Sequence, residues 1–125
     1  MKLHESPEDY LETILILSEE NESVRSVDIA THLGFSKPSV SVAMKKLKES
    51  GYISMDRYGK VILTDLGREI ASKVYEKHQV ISGWLISIGV STETALNDAC
   101  RIEHVLSDES FDKIKELYEN SKKGL

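Results

Sequence analysis

The chain is poor in the features that announce several large classes of protein. Its one cysteine, Cys100, rules out an intrachain disulfide framework. Proline (2) and glycine (7) are scarce and 40% of residues are hydrophobic, so the composition is that of a folded chain, not a disordered one. There is no apolar run approaching the roughly 18 residues of a membrane span, and no secretory signal pattern at the N-terminus. The expected address is the cytoplasm, with no membrane partner. At 125 residues the chain holds one domain or two very small ones packed together. An overall positive charge is also missing: the net charge of −5 weighs against a nucleic-acid binder.

That average hides two blocks of opposite sign. Residues 1–23 set Lys2 against Glu5, Glu8, Asp9, Glu12, Glu19, Glu20 and Glu22, a balance of −6. Residues 36–60 set Lys37, Lys45, Lys46, Lys48, Arg57 and Lys60 against Glu49 and Asp56, a balance of +4. An acidic chain with one basic block can still bind DNA through that block.

The chain shows no internal repeat, low-complexity segment or long linker. "SPEDYLETILILSEE" predicts a helix with Ser6 as N-cap and Pro7 at its first position, ending near 19–21. Its apolar face is Tyr10, Leu11, Ile14, Leu15 and Leu17. "RSVDIATHLGFSKPSVSVAMKKLKESGYI" reads as helix, turn, helix. Ser26 caps the first, with Ile29, Ala30 and Leu33 inside and Gly34 as its stop. Ser36 caps the second, with Val40, Met44 (or Ala43) and Leu47 inside and Gly51 at its end. This is the helix-turn-helix pattern. "YISMDRYGKVILT" predicts a β-hairpin, with Tyr52, Ile53 and Met55 on one arm, Val61 to Leu63 on the other, and Gly59 in the turn. A hairpin directly after the second helix makes a winged helix.

A long helix capped by Thr64 follows, with Leu66, Ile70, Val74, Ile81, Leu85 and Ile88 recurring at helical spacing, His78 on or beside that stripe, and Gly89 as its stop. The next, from Ser91 or Thr92, turns Leu96, Ala99, Ile102, Val105 and Leu106 inward. The last, capped by Ser107, carries Phe111, Ile114, Leu117 and Tyr118. The fold expected is mainly α with a small β-hairpin: a winged helix-turn-helix over 1–70, then a helical domain over 71–125.

The second helix of the pair carries Ser36, Lys37, Pro38, Ser39, Ser41 and Val42 in its N-terminal half, where a recognition helix meets base edges in the major groove. Lys45 and Lys46 follow, and Arg57 and Lys60 at the hairpin tip reach the flanking backbone or minor groove. Their contribution is salt-dependent and carries little sequence information. The helix has no Arg, Asn or Gln, so bidentate base contacts are few, and Val42 becomes a candidate contact for a thymine methyl. A lysine face is commonly no more than a solvated surface; it is the company of the turn, the serines and the basic hairpin that points to double-stranded DNA.

Cys100, Glu103 and His104 fall at i, i+3 and i+4, on one helical face. Thiolate, carboxylate and imidazole pointing one way form a transition-metal ligand set, short of a full coordination sphere. Asp9 and Glu12, also i,i+3, and the mid-helix His78 could complete it. Taken singly each has a plainer account: dipole-favouring acids for Asp9 and Glu12, a core-edge histidine for His78, a small buried hydrophobe for Cys100. His4 and His32 look incidental.

With these motifs the whole chain, from about Glu8 to Leu117, resembles the diphtheria-toxin-repressor family of metal-dependent transcriptional regulators. "EDYLETI" resembles the family's first helix, "SVDIATHLGFSKPSVSVAMKKLKESGYI" its helix-turn-helix, "LTDLGREIA" and "EKHQ" its linking helix, and "ACRIEHVLSDE" its metal and dimer helix. The resemblance implies a metal-activated, homodimeric repressor of metal-homeostasis genes on palindromic operator DNA, in a short form without the SH3-like domain of longer members. It implies that Cys100, Glu103 and His104 match ligands of the iron-type branch, that Asp9 and Glu12 match the manganese-type first helix, and that His78 matches a ligand of both. Ser82 and Leu96 stand where the iron-type ancillary site has Glu and His. One soft ligand among carboxylates and imidazoles favours Fe(II), then Mn(II), with Co(II), Ni(II) or Zn(II) able to bind in vitro.

Two rival readings are a metal-independent winged-helix regulator sensing an organic ligand or protein partner, and an enzyme using Cys100 with His104. The second lacks a Gly-rich loop or second oxyanion donor, so an enzyme is not expected. The dimer surface is expected from apolar residues of the long helix and its two successors, including Trp84, Leu85 and Ile88 or Val105 and Leu106.

Overall fold

The computed structural model describes residues 6–122; His4 lies outside them. Most elements start where a side chain satisfies the first free amides. Helix α1 (Pro7–Glu20) begins as Ser6 Oγ accepts from the Asp9 amide at 3.2 Å and donates to the Asp9 carboxylate at 3.1 Å. Helix α2 (Ser26–Leu33) departs from its expected cap. Arg25 is the N-cap, and the Asp28 carboxylate reaches back to accept from the Arg25 amide at 2.9 Å. The carboxylate takes up the amide of the cap residue itself, and Ser26, expected as the cap, is already the first helical residue. Gly34, at φ +74°, ends α2 in the left-handed conformation that glycine adopts without strain. Ser36 caps α3 (Lys37–Glu49), accepting from the Ser39 amide at 3.3 Å.

Strands β1 (Ile53–Met55) and β2 (Val61–Leu63) pair antiparallel, Ile53 opposite Leu63 and Met55 opposite Val61. Tyr52, expected in the first arm, lies outside β1: its amide donates to the Leu47 carbonyl at 3.0 Å, closing off the end of α3. The turn is held by Asp56, whose Oδ1 accepts from the Tyr58 and Lys60 amides at 2.8 and 2.9 Å. Those amides keep the Asp56 carboxyl below its ordinary pKa, the Lys60 bond foremost. Thr64 Oγ accepts from the Gly67 amide at 3.1 Å and opens helix α4 (Asp65–Ser87). Helices α5 (Thr92–Ile102) and α6 (Asp108–Lys122) follow, capped by Ser91 and Ser107. Among the described residues no helix is long and apolar enough to cross a membrane.

The chain divides into two units between Ser72 and Lys73, inside α4. In the first, Leu11, Ile14, Ile29, Val40, Met44, Ile53 and Val61 are buried, and Tyr10 meets Phe35 edge-on with ring centroids 6.0 Å apart. Gly67 packs against the Tyr52 carbonyl so closely that a Cβ would collide with it. In the second, Ile81, Ala99 and Phe111 form a small core with Val80, Leu85, Ile102 and Leu106 against it. Trp84, on α4 in this unit, is half-buried.

Leu96 and Val105, expected inward, are exposed, and so are Leu66, Ile88 and Leu117 of the apolar stripes. Ile88 and Val105 lie past the ends of α4 and α5, where helical spacing no longer sets direction. On α5 the buried positions are Ala95 and Ala99, small side chains that let helices approach closely, so the inward stripe is offset from Leu96. Near the start of α4, Gly67 and Ala71 take the buried face and leave Leu66 outside.

Candidate DNA-reading face and metal centre

Burial of Val40, Met44 and Leu47 turns the opposite face of α3 outward, and that face carries Pro38, Ser41, Val42 and Lys45 at i, i+3, i+4 and i+7. Ser36, Lys37, Ser39, Lys46 and Arg57 are also exposed, and Lys60 is half-buried. The Ser36 hydroxyl is engaged within the helix cap: besides accepting the Ser39 amide it donates to Ser39 Oγ at 2.9 Å. Val42 lines an open groove of about 470 Å³ together with Pro7, Tyr10, Ser39, Ala43, Lys46 and Leu47.

At the hairpin tip the Arg57 guanidinium lies 5.6 Å from the centroid of the exposed Tyr58 ring. Tyr58 is not among the residues expected at the DNA-facing surface from the sequence. An aromatic between Arg57 and a turn glycine, with no core partner in register, was the available signal.

The second unit gathers four of the residues singled out as metal ligands. His78 comes from α4, Cys100 from α5, and Glu103 and His104 from the turn after it. The expectation that the last three share one continuous helix needs correction, because α5 ends at Ile102. Glu103 nevertheless keeps helical backbone angles (φ −58°, ψ −23°), and its amide bonds the Ala99 carbonyl at 3.0 Å. Its side chain therefore still projects from the face that carries Cys100. His78 Nδ1 lies 3.1 Å from Glu103 Oε2 and 3.9 Å from Cys100 Sγ.

The Glu103 side chain is fully buried. Its second oxygen, Oε1, lies 3.4 Å from His104 Nε2, within ion-pair range, yet takes part in no hydrogen bond among the described residues. A buried carboxylate oxygen without such a partner is costly, and a cation is the partner that best removes the cost. The His78 imidazole is raised to about 10, first by its bond to the Cys100 sulfur and then by Glu103, so it is a cation at neutral pH in this state. Two imidazoles, a thiol and a buried carboxylate suit a divalent transition-metal ion, and these residues fit one.

Asp9 and Glu12 belong to the first unit, where both are buried on α1 one turn apart. Asp9 also serves the α1 cap through Ser6. Ser82 is buried with its hydroxyl donating to the Gln79 carbonyl at 3.3 Å, and Leu96 is exposed, so neither of these positions adds an ionisable donor. His32 is exposed near the end of α2.

Comparison with known proteins places both halves. Residues 2–61 match the N-terminal DNA binding domain of the iron dependent repressors, and residues 64–123 match their metal binding and dimerisation domain. The chain is 35% identical over 122 residues to an uncharacterized HTH-type transcriptional regulator of Methanocaldococcus jannaschii, covering 96% of this chain and 98% of that one. It is 38% identical over 108 residues to the transcriptional regulator MntR of Escherichia coli, covering 86% and 70%. Among solved structures, the manganese regulator SloR matches with a TM-score of 0.82 at 30% identity over 91% of this chain and 54% of that one. The chain thus spans about half the length of that structure.

Proposed function

Because this chain belongs to the iron-dependent repressor family, whose members are transcriptional regulators and not enzymes, we propose that it is a cytoplasmic, dimeric repressor that binds palindromic operator DNA when loaded with Fe(II) or Mn(II) and controls metal-homeostasis genes. The observation that carries the metal dependence is the buried Glu103 oxygen, without a hydrogen bond, among Cys100, His78 and His104. In this reading residues 1–70 read DNA, residues 71–125 bind metal and a second copy, and Asp9 and Glu12 add carboxylates to the four donors of the second unit. The exposed apolar side chains Ile86, Ile88, Leu96, Val105 and Leu117, with Trp84 and Leu85 nearby in sequence, are the surface we assign to the second copy.

A bound divalent ion supplies positive charge that offsets the clustered carboxylates. His78 must release its proton to act as a donor. Donors drawn from both units couple metal affinity to operator affinity, and the coupling equals the difference in metal affinity between the DNA-competent state and the others. About 1–3 kcal/mol is typical of such coupling. The Cys100 thiolate favours Fe(II) over the Mn(II) named for SloR, and Zn(II) is expected to bind more tightly than either in vitro.

The test uses operator duplex selected from a random pool by the Mn(II)-loaded protein. Adding EDTA should weaken specific binding by about 5- to 150-fold; equal affinity with and without EDTA would overturn the reading. An anaerobic Co(II) titration should show a near-ultraviolet thiolate-to-metal band that Cys100→Ser abolishes.

A further inference from the structure

We propose that Lys77 is a positioning residue for the metal centre: its ammonium clasps the turn that carries Glu103 and His104 onto α4. The inference rests on the metal-site reading above and concerns how that site keeps its shape.

Two of the four donors in the second unit stand on helices, which hold their own backbone: His78 within α4 and Cys100 within α5. The other two do not. Glu103 and His104 lie past the end of α5, in a turn that runs to the start of α6 at Asp108. The turn closes on its own N-terminal side, where the Val105 and Leu106 amides both bond the Ile102 carbonyl at 3.0 Å. Helix α4 reaches it with two consecutive residues. His78 meets the near end, with Nδ1 3.1 Å from Glu103 Oε2. Lys77 meets the far end, where Nζ donates to the Leu106 carbonyl at 3.4 Å and lies 3.3 Å from the Asp108 carboxylate. Adjacent residues of a helix do not face the same way, so the two grips fall on different parts of the turn.

The plain account of Lys77 is a surface ion pair with Asp108. Burial tells against it. The Asp108 side chain is 72% exposed, and a pair with so wet a partner contributes little to stability. The Lys77 side chain is only 16% exposed, and its ammonium lies 5.9 Å from the centroid of the buried Phe111 ring. An ammonium withdrawn this far gives up hydration and needs partners in return. An apolar side chain would fill the same space beside Phe111 without that cost, but it could not bond the Leu106 carbonyl. What the ammonium adds is a tie between α4 and the donor-bearing turn. A turn held before the metal arrives leaves less ordering to be done on binding.

The experiment compares the full-length wild type with Lys77→Met, which keeps the stem and loses the charge and donor, and with Lys77→Arg, which keeps both. Co(II) affinity is read anaerobically from the thiolate-to-metal band, and amide hydrogen exchange of the metal-free protein is read by mass spectrometry. Lys77→Met should weaken Co(II) binding about tenfold, and Lys77→Arg should lie within about threefold of wild type. In the metal-free Lys77→Met protein, exchange should quicken over residues 103–106 while the amides of α4 keep their wild-type rates. Wild-type Co(II) affinity in Lys77→Met, a Lys77→Arg protein as weak as Lys77→Met, or faster exchange shared by all of α4, the mark of a general loss of stability, would each overturn this inference alone. A wild type that binds no Co(II) would overturn the metal-site reading with it.

Discussion

In the first unit the side chains assigned to DNA stand in water: Lys37, Ser41, Val42, Lys45 and Arg57 are exposed and contribute nothing to the core beneath them. In the second unit the donors assigned to metal are withdrawn from water, with the Glu103 side chain fully buried and those of His78 and His104 mostly so. A surface site can be rewritten at little cost in stability, since surface substitutions are usually worth less than about 0.5 kcal/mol. A buried donor cluster cannot be treated that way, because each donor is part of the interior as well as part of the site. Specificity for DNA and response to metal should therefore be separable by mutation in one direction only.

The largest effect should come from Glu103→Gln. It keeps the shape of the side chain and removes the charge that makes the cluster attractive to a cation. Mn(II) affinity, read by isothermal calorimetry, should fall about 100-fold or more. A fall of less than threefold would mean that Glu103 is not a donor. Next in size, Gly67→Ala places a Cβ against the Tyr52 carbonyl and should destabilise the first unit by about 2 kcal/mol, seen in denaturant unfolding, without altering the second unit's donors.

The pH dependence of the metal-free protein sharpens the contrast further. His78 is raised from 6.5 to about 10 in the folded state, so folding strengthens its hold on a proton. The resulting stability is fully present below about 6.5 and is lost as pH climbs through about 10. The urea midpoint should fall over that window, and His78→Gln should flatten the fall. The smallest effect belongs to the exposed face. Arg57→Ala should lower DNA affinity similarly on every sequence and reduce the slope of log affinity against log salt by about 1, with metal affinity and stability unchanged.

The elements were legible because their ends carry local chemistry. Ser6, Ser36 and Ser107 cap their helices as read, Ser91 is the one of its two candidates that caps α5, and Gly34, Gly59 and Gly89 take positive φ where the chain turns. The Arg25 cap of α2 was missed because an i,i+3 carboxylate and an adjacent serine give competing signals, and only the backbone direction decides between them. Apolar spacing failed at Leu96 and Leu66, where small residues mark the buried face: Ala95, Gly67 and Ala71 carry a weak hydrophobic signal yet permit the closest packing. In the candidate site, the i, i+3, i+4 spacing correctly implied that Cys100 and Glu103 project together. The nearness of His78 to both depends on packing between α4 and α5, which no spacing within one segment encodes. The hydrogen-bond-free Glu103 oxygen is likewise a property of the packed interior alone.

Trp84 has an optical consequence. It is the chain's one tryptophan and lies in the second unit, while the first unit's residues include tyrosines and a phenylalanine but no tryptophan. Emission excited at the red edge of tyrosine absorption therefore times the loss of structure around α4 in the second unit, whereas far-ultraviolet ellipticity sums the helices of both. In Gly67→Ala, coincident emission and ellipticity curves would mean that the halves melt as one cooperative block, and an ellipticity loss that precedes the emission change would mean that each melts on its own.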